Sequence, residues 1–340
     1  MHRRPTLAQV AELAGVSHQT VSRVVNGFEG VKPDTRKRVQ NAIEALGYRR
    51  NAAARALATS KSKLIGVVAT GSFLFGPTRA LAALEHSARD HGYMVLLSTV
   101  TKMELDIMSA VSRMLGRGVD ALVIIANRTG YLDELEKLSP GIPVVIAGSR
   151  PEGSIADSEM NQNFIYVNQV QGAELAIQHL VDYGHRKLCL ITGPHDWVDS
   201  QQRFTGAISL CYREGITPTI MYGDWSGESG YNCGKEIAKL PPSERPTGIF
   251  SANDAMAQGL LLAFHESGIS VPNDISIVGF DNDPHSAYFT PPLTTISQDF
   301  TEQGHRVLDA IIAMIEGNQP DLTPVPATLI LRDSTKKAQQ

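Results

Sequence analysis

Residues 6–26 read Thr-Leu-Ala-Gln-Val-Ala-Glu-Leu-Ala-Gly-Val-Ser-His-Gln-Thr-Val-Ser-Arg-Val-Val-Asn, and that order leaves little choice of local structure. Thr6 is a helix cap, and Leu7, Val10, Ala11 and Ala14 follow at helical spacing. Gly15 stands where a left-handed residue ends a helix without steric cost. Val16 is an apolar plug for the corner, and Ser17 is the cap of a second helix. On that helix Val21, Val24 and Val25 are apolar. His18, Gln19, Ser22, Arg23 and Asn26 form the polar side. Two helices joined by a turn of this length imply a helix-turn-helix, whose second helix enters the DNA major groove. Gln19 has the groups to pair an adenine edge, and Arg23 a guanine edge or a phosphate. The competing reading of the same pattern is a generic amphipathic hairpin.

Charge distribution favours the first reading. Residues 1–63 contain 12 Lys or Arg against 4 Asp or Glu, a net of +8, whereas the whole chain carries −4. A basic head on an acidic body is a footprint for phosphate contact. A third helix is predicted from about Pro33 to Leu46, with Val39, Ile43 and Leu46 as its buried stripe and Gly47 as its stop. Arg36, Lys37 and Arg38 are either a solvated face or a backbone-phosphate contact. Residues 49–63 follow, with Asn51 as a cap before an alanine-rich segment containing Leu57, its one large apolar side chain. A helix this short needs a partner surface to form. Leu57 is either glue against the body or a wedge for a DNA base step.

From Leu64 the rhythm changes. Short apolar runs at Leu64–Ala69, Met94–Ser98, Ala121–Ala126, Pro143–Ala147, Leu188–Thr192, Gly248–Ser251 and Ile275–Gly279 alternate with helical stretches. This implies parallel sheets covered by helices, and the length points to two of them.

The segment Ala-Gly-Val-Ser-x-x-Thr-Val-Ser-Arg-Val-x-Asn ending at Asn26, with Asn51 to Leu57, resembles the lactose-repressor (LacI/GalR) family of bacterial transcription regulators. The similarity continues through His179–Arg186, Ile191–Pro194, Ser251–Asp254, Val278–Asp281 and Pro291–Phe300, in the family's order. The resemblance implies an all-α helix-turn-helix head joined by a hinge helix to an α/β two-lobed body like the periplasmic sugar-binding proteins. The expected limits are 1–48 for the head, 49–63 for hinge and linker, 64–334 for the body and 335–340 for a tail. Within the body, the N-lobe is expected at about 64–162 and 292–323, and the C-lobe at about 163–291 and 324–334.

The resemblance assigns DNA contact to Thr6, Leu7, Ser17, His18, Gln19, Thr20, Ser22, Arg23, Asn26, Asn51, Ala54 and Leu57, and favours Leu57 as the wedge. It assigns an effector cleft to Leu74, Pro77, Arg203, Trp225, Asn253, Asp281 and Phe300. An arginine, an amide and a carboxylate suit a polyol, whose hydroxyls both donate and accept. For Trp225, stacking on a sugar and ordinary core packing stand side by side. Gly148, followed by Ser149-Arg150, replaces a carboxylate that the family's type member carries, and Arg150 is a candidate for bringing charge into the cleft, with a surface position as the alternative. The implied function is a homodimeric, ligand-responsive repressor of carbohydrate-utilisation genes, bound to double-stranded operator DNA, with a small sugar-like effector altering its affinity. A sugar-binding receptor or enzyme with a nonspecific basic tether is the alternative.

No catalytic signature, metal-ligand spacing or cofactor loop is present, so neither enzyme activity nor a cofactor is expected. Cys189, Cys211 and Cys233 read as buried thiols. No export signal or apolar span is read, so the expected location is cytoplasmic, without membrane contact. The polar end of the chain carries no leucine heptad, which favours a dimer over a coiled-coil tetramer.

Overall fold

The computed structural model describes residues 5–49, 61–70, 74–100, 105–126, 128–130, 141–151 and 163–338. The chain divides into two units, Met1–Ser62 and Lys63–Gln340. The hinge residues Asn51, Ala54 and Leu57 lie outside the described residues.

The first unit holds α1 (Leu7–Ala14), α2 (His18–Val25) and α3 (Pro33–Leu46). Thr6 and Gln9 form a reciprocal capping box on α1, which satisfies two otherwise unpaired N–H groups. Gly15 takes φ 62° and ends α1 in the left-handed conformation. The Ser17 hydroxyl accepts from the Thr20 amide at 3.2 Å and opens α2. Asn26 is the C-terminal cap of α2 and lies just past the helix. The three helices close on Val10, Val21 and Val39, all without solvent exposure. Along α3 the buried partner of Val39 is Ala42, one turn later, while Ile43 and Leu46 are half-buried. A core this small admits the alanine side of the helix and leaves the larger side chains at its rim.

The second unit contains two sheets. The first is built from β1 (Leu64–Thr70), β2 (Met94–Val100), β3 (Ala121–Ile125), β4 (Val144–Ala147) and β5 (Phe164–Ile165), in the order β2-β1-β3-β4-β5 and all parallel. The second is built from β6 (Leu188–Thr192), β7 (Thr219–Tyr222), β8 (Gly248–Ser251), β9 (Ser276–Asp281), β10 (Thr294–Ser297) and β11 (Thr328–Ile330), in the order β11-β10-β9-β8-β6-β7. Only the β10–β11 pair is antiparallel in that sheet. The central strands are buried along their whole length, as expected where helices cover both faces. The helices that matter below are α4 (Phe75–Asp90), α6 (Gln169–Asp182), α7 (Val198–Arg213), α8 (Gly227–Lys239), α9 (Asp254–Glu266) and α10 (Phe300–Ile315); α5 is Leu105–Leu115.

Two of the three expected lobe edges move. β5 pairs with β4 through Ile146 and Phe164, so the first lobe continues past residue 162. β10 lies in register beside β9, Thr294 to Val278 through Ser297 to Asp281, so 294–297 belong to the second lobe. The chain returns to the first lobe only at α10, which packs against α4, β3, β4 and β5. A strand as short as β5 has no periodicity to read, and its partner decides its sheet. The expected tail also proves to be tied down. Just before it Ser334 is fully buried and donates to the Ile277 carbonyl; within it the Lys336 amide donates to Ser276 Oγ at 3.1 Å and the Ala338 amide to the Tyr183 carbonyl. Residues 334–338 are therefore part of the second lobe. Cys189, Cys211 and Cys233 are buried and unpaired, and burial pushes the Cys189 thiol up to about 12. Among the described residues, no helix is long and apolar enough to cross a membrane.

Candidate functional site

Two constructions carry functional chemistry, one in each unit. In the first, Val21 and Val24 of α2 face the core, which turns His18, Gln19 and Arg23 outward. Ser22 and Thr20 are half-buried and serve local bonds: Ser17 with Thr20 at 2.9 Å, and the Asn26 amide to Ser22 at 3.3 Å. Thr6 and Ser17 are caps, and Leu7 packs against the rim of the core. The Arg23 guanidinium lies 5.7 Å from the centre of the exposed Phe28 ring. Arg36 donates to the Phe28 carbonyl, which fixes the turn between α2 and α3. Arg36 is thus engaged in structure, whereas Lys37 and Arg38 are exposed.

In the second unit, all seven side chains assigned from sequence to an effector cleft line one cavity of about 130 Å³. A volume of that size holds several waters, and hence a small organic ligand. The residues come from separate segments, nearly all at strand ends or at the helix starts that follow. Leu74 and Pro77 sit where β1 leads into α4, Trp225 between β7 and α8, Asn253 between β8 and α9, Asp281 at the end of β9, and Phe300 where β10 leads into α10. Arg203 reaches in from the second turn of α7. Open α/β sheets gather ligands at these carboxyl ends.

The polar centre is a closed ring of bonds. Arg203 pairs with Asp281 at 3.3 Å and donates to Gln169 at 2.8 Å. Gln169 donates to Gln298 at 2.8 Å, and Gln298 donates to Asp281 at 2.7 Å. The guanidinium also lies over the Phe280 ring, 3.8 Å from its centre. Arg203 is 4 % exposed, so this ion pair acts in a dry setting and fixes the positions of both charges. Burial raises the Asp281 carboxyl to about 6, against the opposing pull of Arg203 and Gln298. Asp254 behind it is raised to about 8, first by burial and then by the Asp281 charge. Its oxygens accept from Thr295 at 2.6 Å and from the Asp283 amide at 2.8 Å.

Asn253 has a structural task as well as a place in the wall. Its carbonyl oxygen caps α9 through the Met256 amide at 2.8 Å, and its amide donates to the Trp225 carbonyl at 3.0 Å. Trp225 takes φ 75° and Asp281 φ 110°, left-handed conformations that strain a residue with a side chain. A Cβ at position 193 would run into the Trp225 ring, so Gly193 makes the seat for this indole. Trp197 meets it edge-on at 5.9 Å. Trp225 is therefore both a core residue and part of the cavity wall.

Sequence reasoning missed Gln169, Gln298 and Gln303, which reach the cavity through tertiary packing. Gln298 alone had a signal, its place in the segment leading to Phe300. Arg150 is not among the residues that line the cavity; its carbonyl accepts from Gln202. Of the two positions the sequence leaves open for Arg150, the described lining of this cavity does not include it.

Comparison with known proteins matches both units. Residues 6–51 match the model for bacterial regulatory proteins of the lacI family, and residues 177–335 match a periplasmic binding protein-like domain. The chain is 34 % identical to the lactose operon repressor of Escherichia coli (strain K12), over 97 % of this chain and 90 % of that protein. It is 31 % identical to the ribose operon repressor of the same strain, over 93 % and 94 %. The structure superposes on the Lac repressor dimer bound to operator and the anti-inducer ONPF with a TM-score of 0.84 at 32 % identity, covering 98 % of this chain and all of that one.

Proposed function

The chain belongs to the lacI family of bacterial regulatory proteins, and on that premise we propose that it represses carbohydrate-utilisation genes by binding a pseudo-palindromic operator as a homodimer, with a small sugar-like effector changing its affinity. Two relatives are named as repressors of sugar operons, and one neighbour is a dimer on operator DNA. The observation that carries the reading is the convergence of Leu74, Pro77, Arg203, Trp225, Asn253, Asp281 and Phe300 on one cavity. That cavity joins apolar walls to an arginine, an amide and a carboxylate, the donor and acceptor mixture a polyol requires. In the head, the exposed His18, Gln19 and Arg23 supply the base-reading side of α2.

The proposal gives each protomer one operator half-site. Asn51, Ala54 and Leu57 form the hinge, with Leu57 as the wedge at the central step. A ligand that touches both lobes binds one lobe arrangement better than another. The difference in those affinities is the coupling free energy delivered to DNA binding. The reading assigns the chain no catalytic step and no cofactor.

Fluorescence anisotropy tests this directly. DNA from upstream of the protein's own coding region is titrated with and without a panel of sugars. The expected result is sequence-selective binding that a sugar shifts, with weaker and less selective binding by Leu57→Ala. Binding governed by salt alone, with no preference among sequences, overturns the repressor reading.

A further inference from the structure

Three buried polar atoms among the described residues have no hydrogen-bond partner, and all three belong to side chains that line the same cavity: Ser149 Oγ, Trp225 Nε1 and Gln303 Oε1. An unsatisfied buried polar group is costly, which makes this coincidence informative. The three make different demands. Trp225 Nε1 is a donor only, Gln303 Oε1 an acceptor only, and Ser149 Oγ takes either role. The Gln303 orientation is fixed, because its amide nitrogen donates to the Ile165 carbonyl at 3.1 Å. Ser149 follows β4 and Gln303 sits on α10 in the first lobe, whereas Trp225 belongs to the second.

The described lining also carries more carboxyl groups than cations. Asp199, Asp281 and Asp283 line it with Asp254, whose proton is held to about pH 8, and among the described residues Arg203 is its one lining cation, already held by Asp281 and Gln169. A phosphate or carboxylate group placed against these atoms would satisfy the Trp225 and Ser149 donors. It would leave the Gln303 acceptor unanswered and face the carboxyl groups. An ammonium group in the same place would answer Gln303 and the carboxyl groups but leave the Trp225 N–H unpaired. A hydroxyl both donates and accepts, and it adds no charge.

We propose that this cavity selects an uncharged, hydroxyl-rich ligand over phosphorylated, carboxylated or aminated relatives, and that Ser149 and Gln303 form a subsite in the first lobe that determines which hydroxyl pattern is accepted. The inference rests on the effector-binding reading above and narrows it. The opposite face of the ligand takes the Trp225 N–H, so the same molecule bridges both lobes.

The test uses the full-length protein and isothermal titration calorimetry. The probes are glucose, galactose, ribose and cellobiose, with the corresponding sugar phosphates and uronates, and glucosamine. At least one neutral sugar is expected to bind, with its acidic and amino counterparts weaker by about tenfold or more. Ser149→Ala and Gln303→Leu are each expected to weaken the neutral sugar by about tenfold. Ser149→Ala removes a hydroxyl with no partner, so its ligand-free melting temperature stays at or above that of the parent protein. This variant keeps the test valid even where Gln303→Leu disturbs the fold. Tighter binding of a sugar phosphate, uronate or glucosamine overturns the charge selection and leaves the regulator reading standing. Unchanged affinity in both variants overturns the subsite alone. A panel in which no sugar of any charge binds overturns the sugar reading and this inference together.

Discussion

The head and the body reach their functional surfaces by opposite routes. In Met1–Ser62 the outward residues His18, Gln19 and Arg23 come from one eight-residue helix, oriented by two valines and a serine cap within a few positions. In Lys63–Gln340 the cavity takes side chains from positions as far apart as Leu74 and Gln303, and none can act until both sheets are built. The head is a display of local structure on a small core. The body is a long-range construction whose polar centre is itself buried. The same kinds of substitution should therefore have different consequences in the two units.

The largest expected effect is in the body. Arg203→Ala leaves Asp281 as an uncompensated charge in a dry site and should cost about 3–5 kcal/mol, read as a fall in the melting temperature and loss of ligand binding. That cost should depend on pH. The folded state holds the Asp281 proton up to about 6 in the parent protein, against an ordinary 3.8, so this group's contribution to stability declines as pH rises through that interval. Without Arg203 the folded pKa rises further. The variant should therefore be closest to the parent at pH 5 and furthest from it at pH 8. A penalty independent of pH would show that the ion pair is not what Arg203 contributes.

Val21→Ala should cost about 2 kcal/mol, because a fully buried branched side chain leaves a void that the three helices cannot close. In a head with so small a core this should abolish DNA binding while sugar affinity in the body is unchanged. Equal loss of both activities would break the separation of the two units. Ser17→Ala and Gly15→Ala should each cost about 1 kcal/mol, the first by removing the α2 cap and the second by forcing a side chain into φ 62°. Circular dichroism of the isolated effect on helix content, with operator affinity alongside, reads both. Smallest of all is Glu174→Gln, which breaks an exposed pair with Arg213 at 2.7 Å. It should move stability by no more than about 0.5 kcal/mol, and less at high salt. Arg203 and Arg213 stand on the same helix, so this pair of variants isolates what burial does to an ion pair.

What could be read in the sequence follows the same division. Helix α3 is found where Pro33 and Gly47 predict it, because its start and stop signals lie at its own two ends. The strands at Leu188–Thr192 and Gly248–Ser251 are likewise found at their predicted limits, since each is a continuous apolar run that only a buried parallel strand satisfies. The two-residue β5 and the edge strands β7 and β11 carry no such run and escaped notice. The seven assigned cleft residues meet at one cavity, yet their sequence signal came from family resemblance, since nothing in their spacing brings Leu74 to Asp281. Ser149 and Gln303 left no trace of any kind: a serine after a strand and a glutamine in a helix are ordinary residues until neighbours deprive them of partners.

The sequence by itself determined the three-helix head, its basic charge, the alternation of strand and helix in the body, and the left-handed stop at Gly15. The charge is a sum over residues, and each of the others rests on propensity, capping or periodicity within single elements. Only the tertiary structure decided that 294–297 join the second sheet, that 334–338 are stitched into it, that Arg150 stays out of the cavity wall, and that three polar atoms are left there without partners. These outcomes depend on which distant segments exclude water from a group. Exclusion of water is a property of the assembled surfaces and is written in no local stretch of chain.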